Sequence, residues 1–187
     1  TPTQTGDLTV KDNASFTIVA GKRVGQITAT TTEAELIQLY GESQVQRREI
    51  GMGEGETAPG TVVFPGTDNE LIVEWENEKT YETISSIRID GEQAQWTTEE
   101  GIRIGTTLDE LRQINGKEFQ FYGFEWDYAG TTNEWEGGRI NKNLTVILTP
   151  NQPEAAFPDL LGDQLFPSDH PKAEAADLTV SSMTVKF

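Results

Sequence analysis

Residues 102–116 read IRIGTTLDELRQING, and the local physics of this stretch decides the fold. Thr107 stands where a helix N-cap belongs. Glu110, three residues on, completes a capping box in which each side chain satisfies the other residue's backbone N–H. Leu111 and Ile114 then recur at i, i+3 and supply one apolar stripe. Gly116 follows at the place where a left-handed residue ends a helix. The segment predicts a short helix of about two turns.

The same design occurs 75 residues earlier, where 31–41 reads TTEAELIQLYG against TTLDELRQING at 106–116. Thr31/Thr106, Thr32/Thr107, Glu35/Glu110, Leu36/Leu111, Gln38/Gln113 and Gly41/Gly116 are identical, six of eleven positions. Leu39/Ile114 is conservative, and upstream Ile27 aligns with Ile102. Self-similarity at a fixed offset is the mark of a repeated unit. It divides the chain into a polar, Thr-rich linker at 1–15, a first unit at 16–96 and a second at 97–187.

Strand signals follow each helix. After the first come 44–50, 61–64, 70–75 and 84–89, where Leu71, Val73 and Trp75 alternate, as do Ile87 and Ile89. After the second come 118–128, 139–148 and 178–187, with alternation at Leu144, Val146 and Leu148 and at Met183, Val185 and Phe187. This is the period of half-buried strands. Phe119 and Phe121 share a face, whereas Phe124, Trp126 and Tyr128 continue out of phase, which predicts a β-bulge at the intervening Gly123. Each unit is therefore a short helical element plus an antiparallel β-meander, an α+β fold. The helices are too few to bridge parallel strands. Residues 150–176 interrupt the pattern with five prolines, yet Phe157, Leu160, Leu161, Leu165 and Phe166 are apolar enough to pin an ordered insertion to the body.

The segment from Ile102 to Leu111, closed by Gly116, resembles the opening of the units in the β-lactamase-inhibitory-protein-like fold. That fold is shared with small outer-membrane assembly lipoproteins. Its units begin with a strand ending in Ile-x-x-Gly, followed by a Thr- or Ser-capped helix, a Gly and several antiparallel strands. The first copy is a looser version. The inhibitors carry disulfides and this chain has no Cys, so the resemblance implies architecture and no inhibitory activity. The whole chain also looks like uncharacterised exported bacterial proteins.

Charge and composition narrow the function. The 187 residues hold 31 acidic against 14 basic side chains, a net charge of −17. Nucleic-acid binding needs a basic patch, so that class is excluded, and an anionic membrane surface is disfavoured by the same sign. Without Cys there are no disulfides, thiolate zinc sites or cysteine nucleophile. No run approaches the roughly 20 apolar residues of a membrane helix. The chain opens on Thr1 with no signal sequence of its own. We therefore expect an exported, periplasmic or cell-surface protein whose upstream segment was removed, with a lipid anchor just before residue 1 as one form of it.

Motifs for chemistry are sparse. His170, the single histidine, lies in the Pro-bounded loop Ser168-Asp169-His170-Pro171, and no Gly-x-Ser-x-Gly elbow presents a nucleophile to it. No phosphate loop, EF-hand loop or cofactor motif is present. Glu125, Asp127, Glu134 and Glu136 are numerous enough for a pair of glycosidase carboxylates, but acidic residues on a strand and hairpin usually form a solvated face.

The aromatic group is the remaining signal. Tyr122, Phe124, Trp126, Tyr128 and Trp135 fall within fourteen residues. Alternation puts Phe124, Trp126 and Tyr128 on one strand face and Glu125 and Asp127 on the other. If helices cover that aromatic face its rings are core, the reading that large rings on a central strand favour; if it is open they form a contact surface. Trp135, in the turn region, is expected to be the most exposed. Tyr122, Trp126, Tyr128 and Trp135 are accordingly the candidate ligand-binding residues. The sequence thus reads as a non-enzymatic exported binding or interaction module for a protein or carbohydrate partner. Two alternatives stand beside it. One is a carbohydrate-active or sugar-binding protein using the nearby carboxylates. The other is an envelope assembly or structural lipoprotein that holds a sheet edge or groove open.

Overall fold

In a computed structural model that describes residues 16–153 and 157–187, both capping boxes form with the same bonds. Thr32 caps α1 (Glu33–Tyr40) and Thr107 caps α2 (Leu108–Asn115). The N–H of Glu35 donates to Thr32 Oγ1 at 3.2 Å, and that of Glu110 to Thr107 Oγ1 at 3.2 Å. The return bonds, from the cap N–H to the glutamate carboxylate, are both 2.8 Å. The turn before each cap matches as well. Thr31 Oγ1 accepts from Thr28 N, and Thr106 Oγ1 from Arg103 N, each at 2.9 Å. Gly41 and Gly116 end the helices at φ +92° and +70°, a region that favours glycine.

The strands are β1 (Thr17–Val19), β2 (Arg23–Val24), β3 (Val45–Gly53), β4 (Glu56–Val63), β5 (Leu71–Trp75), β6 (Ile84–Ile89), β7 (Thr97–Thr98), β8 (Gln120–Tyr122), β9 (Leu144–Pro150), β10 (Leu165–Pro167) and β11 (Leu178–Lys186). Six of them make one antiparallel sheet in the order β3-β4-β5-β6-β11-β9. The fold is α+β. The first half of the chain contributes β3 to β6, the second β9 and β11, and the seam is the β6–β11 ladder from Ile89↔Met183 to Ser86↔Lys186. A second link joins the halves where β1 pairs parallel with β7. No helix of the described residues is long and apolar enough to cross a membrane.

One face of the sheet carries the main core. Val73, Ile87, Val185 and Leu144 align across four strands, with Ile89, Met183 and Val146 as the next row, and all are buried. Leu36 of α1 and Leu111 of α2 are fully buried in the same cluster, with Ile27 and Ile102 from the segments before them. Replacing either leucine by alanine costs about 2–5 kcal/mol in a core of this kind.

β4 begins five residues earlier than the apolar run at 61–64 suggests, because Pro59 is tolerated inside it. The bond from Phe64 N to Gln44 O fixes the alternation of the β3–β4 ladder. Pro59 then falls opposite Glu49 at a position whose nitrogen faces away from β3, and β5 pairs with β4 only from Thr61 onward. No ladder bond is lost.

The strand expected over 118–128 is corrected: β8 ends at Tyr122, and 125–130 is a turn. Gly123 marks no bulge. It packs against the insertion, where a Cβ would press on Gly162 O and Leu160 O, and its N–H donates to Gln164 O at 2.9 Å. In the insertion Phe157, Leu160 and Phe166 are buried, β10 pairs with β8, and α3 (Pro171–Ala176) leads into β11. The expected linker at 1–15 lies outside the described residues.

Candidate functional site

The sheet face turned away from the helices is mostly polar. Side chains of one strand face lie in line with those of their ladder partners. Ile72, Arg88, Thr184 and Thr145 therefore form one row across β5, β6, β11 and β9, with Glu74, Ser86 and Lys186 in the next. The groups are held in place. Arg88 Nε donates to Asp90 Oδ2 at 3.0 Å, Ser182 Oγ to Asp90 Oδ1 at 2.6 Å, and Ser86 Oγ to Glu74 Oε2 at 2.9 Å.

The distal part of the β3–β4 hairpin reaches this face. Ile50, Ala58 and Val62 are buried on it, apart from the main core cluster. Gly60 makes this packing possible, since a Cβ there would lie 2.6 Å from Ile50 Cδ1. Arg88 Nη1 donates to Gly51 O at 3.1 Å, and at the hairpin tip Tyr128 Oη donates to Glu54 Oε1 at 3.2 Å. Between hairpin and sheet lies a cleft of about 300 Å³ lined by Ile50, Met52, Ile72, Glu74, Arg88, Lys186 and Tyr128, among others. The hydrogen bond to Glu54, strengthened by that carboxylate's charge, raises the Tyr128 phenol above its ordinary pKa, so it stays a donor.

Tyr128 also ends an aromatic ladder. Trp126 lies edge-on to Tyr122 at 5.2 Å and to Tyr128 at 5.3 Å, and its Nε1 donates to Gly123 O at 2.9 Å. Tyr122 and Trp126 are half-buried and Tyr128 is 44% exposed. Phe124 leaves this group. It is buried against Phe157 at 5.5 Å. Strand alternation does not group Trp126 with Tyr128; the turn does, with Glu125 at φ +65° and Ala129 N donating to Trp126 O.

Trp135 does not join them. Expected to be the most exposed ring, it is 4% exposed, stacks edge-on to Phe119 at 4.9 Å and donates from Nε1 to Leu144 O at 2.7 Å. The cause is a pairing that no local pattern announces. Thr131–Thr132 runs beside β9, with Thr132 N donating to Val146 O, and this carries the following residues under the end of α2. Asn115 Nδ2 closes the corner by donating to Trp135 O at 3.0 Å.

The carboxylates considered for glycosidase chemistry, Glu125, Asp127, Glu134 and Glu136, are all exposed, and Glu74 is the carboxylate that lines the cleft. His170 caps α3 by accepting from Lys172 N at 3.1 Å and lies edge-on to Phe166. Neighbouring Ser168 is buried and committed: its Oγ donates to Glu118 Oε2 at 2.6 Å and accepts from Phe119 N at 3.1 Å. Hydrogen bonds from Arg112 and Ser168 hold the Glu118 carboxyl below its ordinary pKa. Among the described residues no group of three or more His, Cys, Asp or Glu could hold a metal ion.

Sequence reasoning missed Arg88, Lys186 and Glu74. Alternation marks them as facing away from the core, but their meeting depends on the register of three strands, β5, β6 and β11. No family model matches the chain, and no curated protein does. Among solved structures it is similar to YfeY, an uncharacterised protein from Escherichia coli, at 15% identity and a TM-score of 0.49, over 90% of this chain and 99% of that one.

Proposed function

We propose that the protein is a non-enzymatic, exported binding module whose ligand seats in the cleft between the β3–β4 hairpin and the open sheet face. The supporting observation is the convergence of the Tyr122–Trp126–Tyr128 ladder, through Tyr128, on a recess that also holds Arg88 and Lys186. Rings already stacked on one another and an Arg88 guanidinium already held by hydrogen bonds lose little conformational freedom when a ligand arrives. A mixed apolar and cationic lining suits a segment of a protein partner or a sugar bearing an acidic group. The matched caps and turns at offset 75 favour an origin by tandem duplication.

Trp126 gives a selective probe, since Trp75, Trp96 and Trp135 are all buried. Binding is followed by Trp126 fluorescence and by capture on the immobilised chain. The probes are soluble acidic oligosaccharides and the envelope proteins of the native host. Trp126→Ala and Arg88→Ala should each abolish capture while the chain still folds by circular dichroism, and capture that survives both removes the cleft as the site. Fractionation of the native host tests export, and a cytoplasmic location refutes it.

A further inference from the structure

The two edges of the six-stranded sheet are treated differently. β9 is covered: Thr132 N donates to Val146 O at 2.9 Å and Leu148 N to Gly130 O at 2.8 Å. β3 is nine residues long and pairs only with β4 among the described residues. Antiparallel pairing alternates hydrogen-bonded and non-hydrogen-bonded positions. The bond from Phe64 N to Gln44 O therefore assigns Gln46, Arg48 and Ile50 to β4 and turns the backbone groups of Val45, Arg47, Glu49 and Gly51 outward. Arg88 takes the Gly51 carbonyl and the Val45 N–H donates to Glu42 O, while the outward groups of Arg47 and Glu49 have no partner strand among the described residues. Such an edge is a template for a further strand unless charge repels it.

We propose that the occupant is β3 of a second copy of this chain, paired antiparallel about a two-fold axis at Arg48. This goes beyond the binding cleft and is independent of it. Charge selects the register. Outward residues must face outward residues, which leaves axes at Arg47, Arg48 or Glu49 as the ones that keep most of the strand paired. An axis at Arg47 sets that cation against its own copy, and an axis at Glu49 does the same with two carboxylates, both unfavourable. The axis at Arg48 also sets a cation against its own copy, Arg48, whose Nη1 is paired with Glu70 at 3.3 Å. It alone, however, places Arg47 opposite Glu49 of the second copy, twice, so two opposite-charge pairs offset that one like-charge contact. Arg47 binds Glu33 through Nε and Nη2 and its side chain is 62% exposed, which leaves Nη1 as the donor for a carboxylate of the second copy. The neighbouring helix adds an apolar contact. Ile37 lies one turn after Glu33 on the side of α1 next to Arg47, and at 37% exposed it is one of the few large uncovered hydrophobic side chains.

Sedimentation velocity of the full chain tests the pairing. Its mass should rise towards twice 20.7 kDa as concentration approaches about 0.2 mM, because dimers form by mass action. The series is run at about 0.5 M salt, which screens the −17 charge that each copy presents to the other. With no native cysteine, single cysteines read the register. Arg48→Cys meets its own copy at a non-hydrogen-bonded position, within disulfide reach, and should cross-link on mild oxidation. Gln46→Cys, equally exposed, meets Ile50 and should cross-link roughly ten-fold more slowly, its sulfurs lying too far apart. Glu49→Arg, which opposes cations, should be monomeric. A single 20.7 kDa species of the unaltered chain at every concentration overturns the proposal whatever the variants do. Equal cross-linking of the two cysteine variants overturns the register.

Discussion

Thr61→Val tests the polar link between sheet and helix with almost no change of shape. Thr61 is fully buried on β4, where its hydroxyl accepts from Trp75 Nε1 at 2.9 Å and donates to Glu33 Oε2 at 2.7 Å. Glu33 opens α1 and also receives Arg47, whose guanidinium lies 4.0 Å over the Tyr81 ring. Valine leaves the buried indole N–H without an acceptor, a cost of about 1–3 kcal/mol, and removes one hydrogen bond to a carboxylate, about 1.5–3 kcal/mol. Arg47 keeps Glu33 paired, and the added methyl group returns about 0.8 kcal/mol, so the net expectation is about 2–5 kcal/mol. For a chain of this length that lowers Tm by roughly 4–20 °C. Urea denaturation followed by Trp fluorescence and calorimetry measures it. Thr61→Ser, which keeps the hydroxyl and loses a methyl group, is the control. If valine proves no more destabilising than serine, the hydroxyl bridge is not what ties α1 to β4 and the reasoning fails.

Three further outcomes are expected. Thr32→Ala and Thr107→Ala should each cost about 1 kcal/mol, because both caps make the same pair of bonds, and a loss confined to one of them in urea titrations refutes their equivalence. Gly123→Ala should destabilise by about 1–3 kcal/mol, since its Cβ meets Gly162 O and Leu160 O; a neutral result in the same assay means that the insertion is not packed on β8 as described. Glu118, held low by Arg112 and Ser168, adds stability that is present above its unfolded pKa of about 4.3 and is lost as pH falls through the lower folded value. Glu118→Gln should flatten that acid limb of stability against pH, and an unchanged limb removes Glu118 as its cause.

The helix starts were legible because everything that makes them lies within a few residues. Thr32 with Glu35 and Thr107 with Glu110 are complete local devices, and the structure forms both. The strands at 71–75, 84–89 and 178–186 were legible for a related reason: alternation is a property of one strand on a half-buried sheet. The aromatic segment shows where this ends. Period-two reasoning carried a strand through 118–128, yet Gly123 answers to Leu160 and Gly162 some forty residues away, and the chain turns. Phe124 and Trp135 went to the core for the same kind of reason, through Phe157 and through β9.

By itself the sequence determined the α+β class, the two capped helices and which strand residues avoid the core. Short-range hydrogen bonds and side-chain periodicity carry that information without reference to distant residues. Only the tertiary structure decided that both halves complete one sheet through β6 and β11, and that Ile72, Arg88, Thr184 and Thr145 share a row. It also decided that Tyr128 meets Glu54 across 74 residues. Strand register and the meeting of remote loops depend on where complementary surfaces come to rest, a choice made by packing the whole chain at once.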